Sequence, residues 1–588
     1  MRVRRLWINN FRGIEQLDWK LPIDQQLVAL VGPGDSGKST ILDALHFLLG
    51  DRWNIPFSDT DFHNVVVEQS IIIKALLINI PLALRKEAAL GLWMSGVDEK
   101  GDPHQDPEEG LEPALIVQLV VDINLEPRWS VVRSDGQTQN LTSGQRRAFS
   151  TFKVDDRADA QLRWSRNSPL GRMSAEDGGE RSALAAASRA ARDALVSHES
   201  VALSDLATRV QERANKVGSG SFTDIRPGLD TSRSSMGAGL ALHEDVIPLT
   251  SYGLGSRRLV SLAVQQLAAG NRSVAVVDEL ESGLEPHRAV RLLNYLLSDA
   301  DYSQVIVTTH SPVIVEQARI ENLATVQNRG GVVTVTSLGE SNDLMQRLRR
   351  TRPSSFLARR VIIAEGKTEY GLLLACIDAW DSERALKGES TSAGEGVTVQ
   401  DGNGGTEVGP RSEALARLGF DVMAFLDNDD RGVDAGISAA ASAGVRVSRW
   451  DYGLNTERQI CSELIAQGLT AFIVLGAKCR SSEETVKQDI NSVGPQDPVS
   501  SLNVQDWIND GMTLEAARTR ITQAAITRKW FKNVEGGRTL GEWIIRNYRR
   551  AQLASTTNHL EQVRQFLYPE TETDQVPDNL TATEPRDG

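Results

Sequence analysis

Two sets of side chains in this chain stand at spacings that suit chemistry better than packing. In "GPGDSGKST", Gly32, Gly37, Lys38 and Ser39 fill the pattern G-x-x-x-x-G-K-[ST], with Gly34 inside the loop and Thr40 just after it. The glycines free backbone N–H groups to wrap phosphate oxygens, and a helix N-terminus adds partial positive charge. Lys38 would reach the outer phosphates, and Ser39 would ligate Mg²⁺. Such a site needs a second half, an apolar strand ending in acids, and "SVAVVDELE" supplies it. Asp278 would hold Mg²⁺ through water, and Glu279 would polarise an attacking water. A third strand, in "VIVTTHSP", ends in His310, where a γ-phosphate contact would lie. The three together predict an ATP site.

The second set is acidic. "VMAFLDNDDRG" ends a buried-looking run in Asp427 and Asp429, and "RRVIIAEGKTE" ends another in Glu365, with Glu369 one helical turn on. The two strand ends lie about sixty residues apart, which fits parallel neighbours whose C-terminal ends open on one crevice. Asp427 and Asp429, two apart, can point to one side. Hard oxygen donors of this kind suit Mg²⁺ or Mn²⁺. Left uncompensated they would repel, so a cation is the simplest explanation. Solvated turn residues are the plainer alternative.

Elements that must position these groups are legible around them. The strand "QLVALV" precedes the glycine loop, and the helix "KSTILDALHFLLG" follows it. Residues 181–216 are Ala/Arg/Glu-rich with apolar residues three or four apart, predicting a helical insertion over about 175–220. It would serve as a dimer contact or as an internally packed subdomain. A fresh apolar run after the basic linker "RLRRTRPSSFLARR" predicts a second domain over 354–550, following a first over 1–353. The final residues, 569–588, carry six acids and three prolines and predict a disordered tail.

Composition bounds the reading. A chain of 588 residues with 40% apolar and 24% charged content predicts a soluble protein with more than one core. It has no run long and apolar enough to span a membrane, and no signal-like block follows the basic N-terminus. Three cysteines without Cys-x-x-Cys spacing argue for a reducing, cytoplasmic setting and against a disulfide framework or zinc site. The net charge of −14 counts against nucleic acid as a partner. Two basic stretches, 347–360 and 528–550, keep DNA binding open; each is equally readable as a solvated helix face.

"INNFRGIEQLDW" ahead of the glycine loop, a long insertion before the acidic strand, and then "TTHSP" resemble the ABC-type ATPase heads of the SMC and RecF group. That resemblance implies a nucleotide contact from Arg12. It also implies a signature motif completing the opposing subunit's site, at "SYGLGSRRLVSL", with Ser251, Gly253, Gly255 and Ser256 as candidates. The motif departs from the family's usual Ser-Gly-Gly-Gln, and Gly34 stands where these heads commonly carry Asn. The later pattern E-G-x-x-E followed by D-x-D resembles the topoisomerase–primase (Toprim) domain. An ABC head joined to a C-terminal Toprim domain is similar to the OLD (overcoming lysogenization defect) nucleases. The implied architecture is α/β: an ABC-type P-loop ATPase domain with a helical insertion, a Rossmann-like Toprim domain, and a small C-terminal helical region. The resemblance adds Gly402–Gly405 as a Gly-rich turn and Glu457 as a further metal-side carboxylate. Lys532, or less favourably Lys529, is the implied cation at the scissile phosphate.

The implied activity is ATP-regulated, Mg²⁺- or Mn²⁺-dependent DNA cleavage in anti-phage defence, by a homodimer or larger assembly. A helicase or a reverse transcriptase (retron) is an implied partner. A non-cleaving, ATP-dependent DNA scaffold is the alternative from another class, and it leaves the acidic set without a task. A topoisomerase-like reading would need a nucleophile such as Tyr548 and ranks third.

Overall fold

In the computed structural model the described residues are 1–154 (except 24, 51–53 and 150), 158–163, 168–174, 186, 190, 241–244, 247–269, 273–298, 302–339, 343–493, 498–499, 501–547 and 553–569. They form two compact units, Met1–Val31 with Asp35–Ser337, and Gly32–Gly34 with Leu338–Gly588. The expected insertion at 175–220 lies, apart from positions 186 and 190, outside the described residues, as do Tyr548 and the tail from 570 onward.

The first unit is built on one large sheet. Its principal strands are β1 (Arg2–Phe11), β2 (Ile14–Lys20), β3 (Leu27–Val31), β4 (Ile71–Ile78), β5 (Glu112–Val121), β6 (Thr151–Val154), β7 (Ser273–Val277), β8 (Tyr302–Thr308), β9 (Leu323–Arg329) and β10 (Val332–Ser337). They run in the order β6-β7-β8-β3-β9-β10-β2-β1-β4-β5. The β6-β7-β8-β3-β9 stretch is parallel, while β2, β1, β4 and β5 pair antiparallel. Every residue of β3 is buried, as expected of a parallel strand covered on both faces. Helix α1 (Lys38–Leu49) follows the glycine loop and buries Ile41, Leu42, Leu45, Leu48 and Leu49. Helix α2 (Leu254–Ala269) leads into β7.

The second unit holds a four-stranded parallel sheet of β11 (Arg360–Ala364), β12 (Val397–Asp401), β13 (Asp421–Leu426) and β14 (Arg446–Arg449). The order is β12-β11-β13-β14, so the sheet reverses direction of growth between β11 and β13. Helices α3 (Lys367–Lys387) and α4 (Gly405–Arg417) alternate with the strands, followed by α5 (Thr456–Glu463), α6 (Ala466–Arg480), α7 (Leu514–Thr527) and α8 (Val534–Asn547). Their apolar faces share one core that includes Ile362, Leu372, Phe425, Trp450, Phe472, Trp530, Phe531 and Phe566. The unit takes in the helix Asp343–Thr351, ahead of residue 354, whose Arg347 reaches Glu407 at 3.9 Å, and the turn Pro353–Phe356, whose buried Phe356 packs edge-on against Phe420 while Gln400 donates to Ser355. It also takes in the helix Ala554–Leu567, past 550, whose Phe566 lies under Arg446.

Candidate active sites

The first site forms where β3, β8 and β7 end side by side, as parallel sheets place their ligands. Gly37 sits at φ 95° as the N-cap of α1, a left-handed conformation that suits glycine. Lys38 is buried and donates to Ser36 at 3.1 Å. Burial pulls its ammonium down to a pKa of about 8, against the opposing pull of Asp278, Asp35, Glu279 and Glu281. Ser39 donates to Asp278 Oδ1 at 2.9 Å, and Thr308 donates to the same oxygen at 2.7 Å. Two oxygen donors of the kind Mg²⁺ prefers therefore already stand together at the mouth of the loop.

Glu279 is held at φ 46°, rare for a residue with a side chain, and its N–H donates to Thr308 Oγ1 at 2.7 Å. That twist leaves its carboxylate exposed rather than folded into the sheet. His310 donates its backbone N–H to Glu281 at 2.6 Å. Desolvation, then the charge of Lys38, push its imidazole below the usual pKa, so it is neutral at pH 7. Arg12 is an anchored residue. It donates to Asp43 at 2.5 Å and Asp61 at 2.8 Å, with its guanidinium over Phe11 and Phe47. Gly34 and Ser39 are exposed and Thr40 half-buried. Ser251 and Gly253 are exposed at the start of α2, whereas Gly255 is buried with no room for a Cβ against the carbonyl of Gly283.

The second site lies at the C-terminal ends of β11 and β13, the point where the sheet order reverses. Ala364 pairs with Phe425, so Glu365 and Asp427 leave adjacent strands together, and Asp427 N–H donates to Glu365 Oε2 at 2.8 Å. Thr456, fully buried at the start of α5, ties in the others. Its N–H donates to Asp427 Oδ1 at 2.9 Å, and its hydroxyl lies 2.8 Å from Glu369 Oε1 and 3.1 Å from Asp427 Oδ1. The same hydroxyl accepts from Trp450 Nε1 at 2.8 Å. A hydroxyl has one proton, so it cannot serve two carboxylates at once. Burial first, then Glu369 and Glu365, hold the Asp427 pKa well above the usual carboxylate range.

Glu457 is 0% exposed, and neither carboxyl oxygen has a hydrogen-bond donor. Burial raises its pKa, opposed by Lys532, whose Nζ lies 4.0 Å away. Glu365 is raised by burial and then by Glu369. Asp429 is exposed, yet close enough to add its charge to Glu365 and Glu457. Lys532 answers this field: burial works against its ammonium, but Glu457, Glu369, Asp427 and Glu365 together raise its pKa. Lys529 has no ion pair with these acids among the described contacts and sits at φ 54° in the turn before α8. The turn at Gly402–Gly405 runs beneath Glu365, with Gly404 N–H donating to the Glu365 carbonyl at 2.8 Å.

Among the described residues no three Asp, Glu, His or Cys side chains close on a point tightly enough to cage an ion as they stand. The donor set nonetheless fits Mg²⁺ or Mn²⁺. It is all carboxylate, and the donorless Glu457 is the kind of group that a cation satisfies.

Several side chains of the two basic stretches are taken up within the chain. Arg349 is buried, Arg360 pairs with Glu395 at 3.2 Å, and Arg347 reaches Glu407 at 3.9 Å. In the later stretch Arg538 pairs with Asp378 and Arg546 with Glu542, while Trp530 and Phe531 are core. Two functional features escaped sequence reasoning. Lys153, inside β6, donates to Asp43 at 2.6 Å and lies 3.7 Å from Asp278. A glycine seam, Gly371 against Gly537 and Gly541 against Leu372, lets α3 and α8 touch backbone to backbone.

Comparison with known proteins bears mainly on the first site. Residues 1–88 match a family described as "AAA ATPase domain", and residues 126–316 match "AAA domain, putative AbiEii toxin, Type IV TA system". Over 51 residues the chain is 47% identical to the OLD nuclease of Thermus scotoductus, a match spanning 9% of each protein. The Smc head domain with an extended coiled coil, bound to the C-terminal domain of ScpA and derived from Pyrococcus furiosus, is 14% identical with a TM-score of 0.34. That match covers 59% of this chain and 99% of the other. The SMC head domain from Thermotoga maritima is 16% identical with a TM-score of 0.26, over 57% of this chain and 99% of the other. The sequence matches are thus to ATPase family models along the first unit and, over a short segment, to an OLD nuclease. No helix among the described residues is long and apolar enough to cross a membrane.

Proposed function

We propose that this OLD-type ATPase is a divalent-metal-dependent DNA nuclease whose cutting is governed by ATP, with a Toprim-type site in its second unit. One observation carries the reading. Glu365, Glu369, Asp427 and Glu457 are gathered at the switch point of a parallel sheet, with Lys532 facing them. A fold has no packing reason to bury carboxylates against one another with both oxygens of one left without a donor.

Glu365, Asp427, Glu369 and Glu457 would hold Mg²⁺ or Mn²⁺, with Asp429 at the exposed rim. The bound ion supplies an acidified water and charge for the leaving oxygen. Lys532, more than a third exposed at its side chain, presents its ammonium to a phosphodiester and offsets charge building on it. Thr456 fixes the rotamers of Asp427 and Glu369. In the first unit Lys38, Ser39 and Asp278 bind the nucleotide phosphates and Mg²⁺. Glu279 orients the attacking water, and neutral His310 offers a contact to the terminal phosphate. Exposed Ser251 and Gly253 are suited to meet the nucleotide of a second copy, making the active form a homodimer or larger. Defence against phage, with a helicase or reverse transcriptase alongside, is the setting this chemistry suits.

The test is cleavage of supercoiled and linear DNA with Mg²⁺ or Mn²⁺, with and without ATP. The wild type should nick or cut, and Asp427→Ala should lose on the order of 100-fold or more of that activity. Equal cutting by Asp427→Ala, or DNA left intact by both, would favour an ATP-dependent scaffold instead.

A further inference from the structure

The ATP site contains a charge that the proposed chemistry leaves unused. Lys153 belongs to β6, in parallel register with Val276 of β7, two residues before Asp278. Its side chain is only 9% exposed, and two carboxylates take it up. It lies 2.6 Å from Asp43 Oδ1 and 3.7 Å from Asp278 Oδ2. Each carboxylate turns its other oxygen elsewhere: Asp43 Oδ2 to Arg12 at 2.5 Å, Asp278 Oδ1 to Ser39 and Thr308. Gln265 of α2 fixes the strand by donating to the Lys153 carbonyl at 2.9 Å. The result is a continuous line of alternating charge, Asp61–Arg12–Asp43–Lys153–Asp278, ending on the oxygens that would meet Mg²⁺.

We propose that Lys153 is a positioning residue of the nucleotide site, a built-in counter-charge to Asp278 that sets how strongly nucleotide binding depends on Mg²⁺. The inference rests on the reading of this unit as an ATP-binding domain. A fixed cation beside Asp278 does part of what the metal does. It steadies the carboxylate and lowers the negative potential that nucleotide phosphates must approach. It also competes with the metal for the same carboxylate. Removing it should therefore move two affinities in opposite directions, which loss of packing alone does not do. Asp43 sets the balance from the other side, since without it Lys153 has only Asp278 to serve.

The experiment is binding of a fluorescent N-methylanthraniloyl ATP to the full chain, in EDTA and across a Mg²⁺ titration. In Lys153→Met, binding in EDTA should weaken about tenfold, and half-saturation should need about tenfold less Mg²⁺. Lys153→Arg, which keeps the charge, should stay near wild type. Asp43→Asn should shift the Mg²⁺ requirement the opposite way, toward higher concentration. Far-UV circular dichroism and a melting curve check that each variant is folded; if Lys153→Met is not, the opposite-signed shift in Asp43→Asn still decides. Equal changes with and without Mg²⁺, or none in either variant, would overturn the proposal. Failure of the wild type itself to bind would instead overturn the ATP reading on which it rests.

Discussion

At the scale of single residues, both sites are organised by buried charge, and pH should expose this. Lys38 has a pKa of about 8, so it is charged at neutral pH and neutral a unit or two above. A phosphate beside it favours the charged form. Nucleotide affinity should therefore be flat below pH 7 and fall about tenfold per pH unit above 8, with proton uptake on binding there. Calorimetry in buffers of different ionisation enthalpy would read that proton directly. The acidic cluster carries the opposite lesson. Asp427, Glu457 and Glu365 have raised pKa values in the folded state, so folding takes up protons as they titrate. Their contribution to stability is full below the ordinary carboxylate range and is lost as pH rises through their elevated values. In EDTA, melting of the second unit should drop as pH climbs above the ordinary carboxylate range, about 4. Mg²⁺ should restore it, and Glu457→Gln should flatten the slope. A melting point independent of both pH and metal would contradict the cluster as described. Glu365 and Asp427 were legible in the sequence because each ends an apolar strand, where a parallel sheet gathers its polar chemistry. Their raised pKa values were not, because the burial and the mutual approach of Glu365, Glu369 and Asp427 that cause them exist only in the fold.

Elements decide which of these residues meet. The sheet order β12-β11-β13-β14 makes β11 and β13 neighbours, and this was the inference that the spacing of Glu365 and Asp427 permitted. The helix pair across from them left no such trace. A Cβ at Gly537 would fall 2.2 Å from the Thr368 carbonyl, one at Gly371 2.1 Å from that of Val534, and one at Gly541 2.6 Å from that of Leu372. Glycines in helix interiors read as weak helix formers until the partner helix is known. Here they bring α3, which carries Glu369, against α8, which follows Lys532. Thr368 also donates to the Phe531 carbonyl at 3.0 Å. Gly537→Ala should force the pair apart, cost roughly 1–3 kcal/mol of stability in the second unit, and lower cleavage well beyond its effect on ATP binding. Thermal melting and nuclease assays on the same preparation would show whether the two losses travel together. Lys153 was hidden for a related reason: "TFKV" reads as an alternating strand with a solvated lysine, and only the adjacent β7 and α1 supply its carboxylates.

At the scale of the whole chain, the net charge of −14 misled less than it first suggested, because so many of the acids have assigned partners or sit in the two sites. Within the basic stretches, which looked like a route for DNA, Arg347, Arg360, Arg538 and Arg546 have acidic partners inside the chain. On the proposed function each unit holds its own catalytic set, so the activities should separate by substitution. Glu279→Gln should abolish ATP turnover while nucleotide-free, metal-dependent cutting persists, and Asp427→Asn should do the reverse. Loss of nucleotide-free cutting in Glu279→Gln would mean that the sets are misassigned.

The seam between α3 and α8 also has a consequence in time. The ribosome makes α3, with Glu369, long before it makes Lys532. At about 5–20 residues per second the delay is on the order of ten to thirty seconds. Through that interval the growing chain already carries the acids of β11, α3 and β13 without Lys532, the cation that faces them. The second unit cannot close its core early, and its acidic cluster stays incomplete on the nascent chain until the final helices arrive.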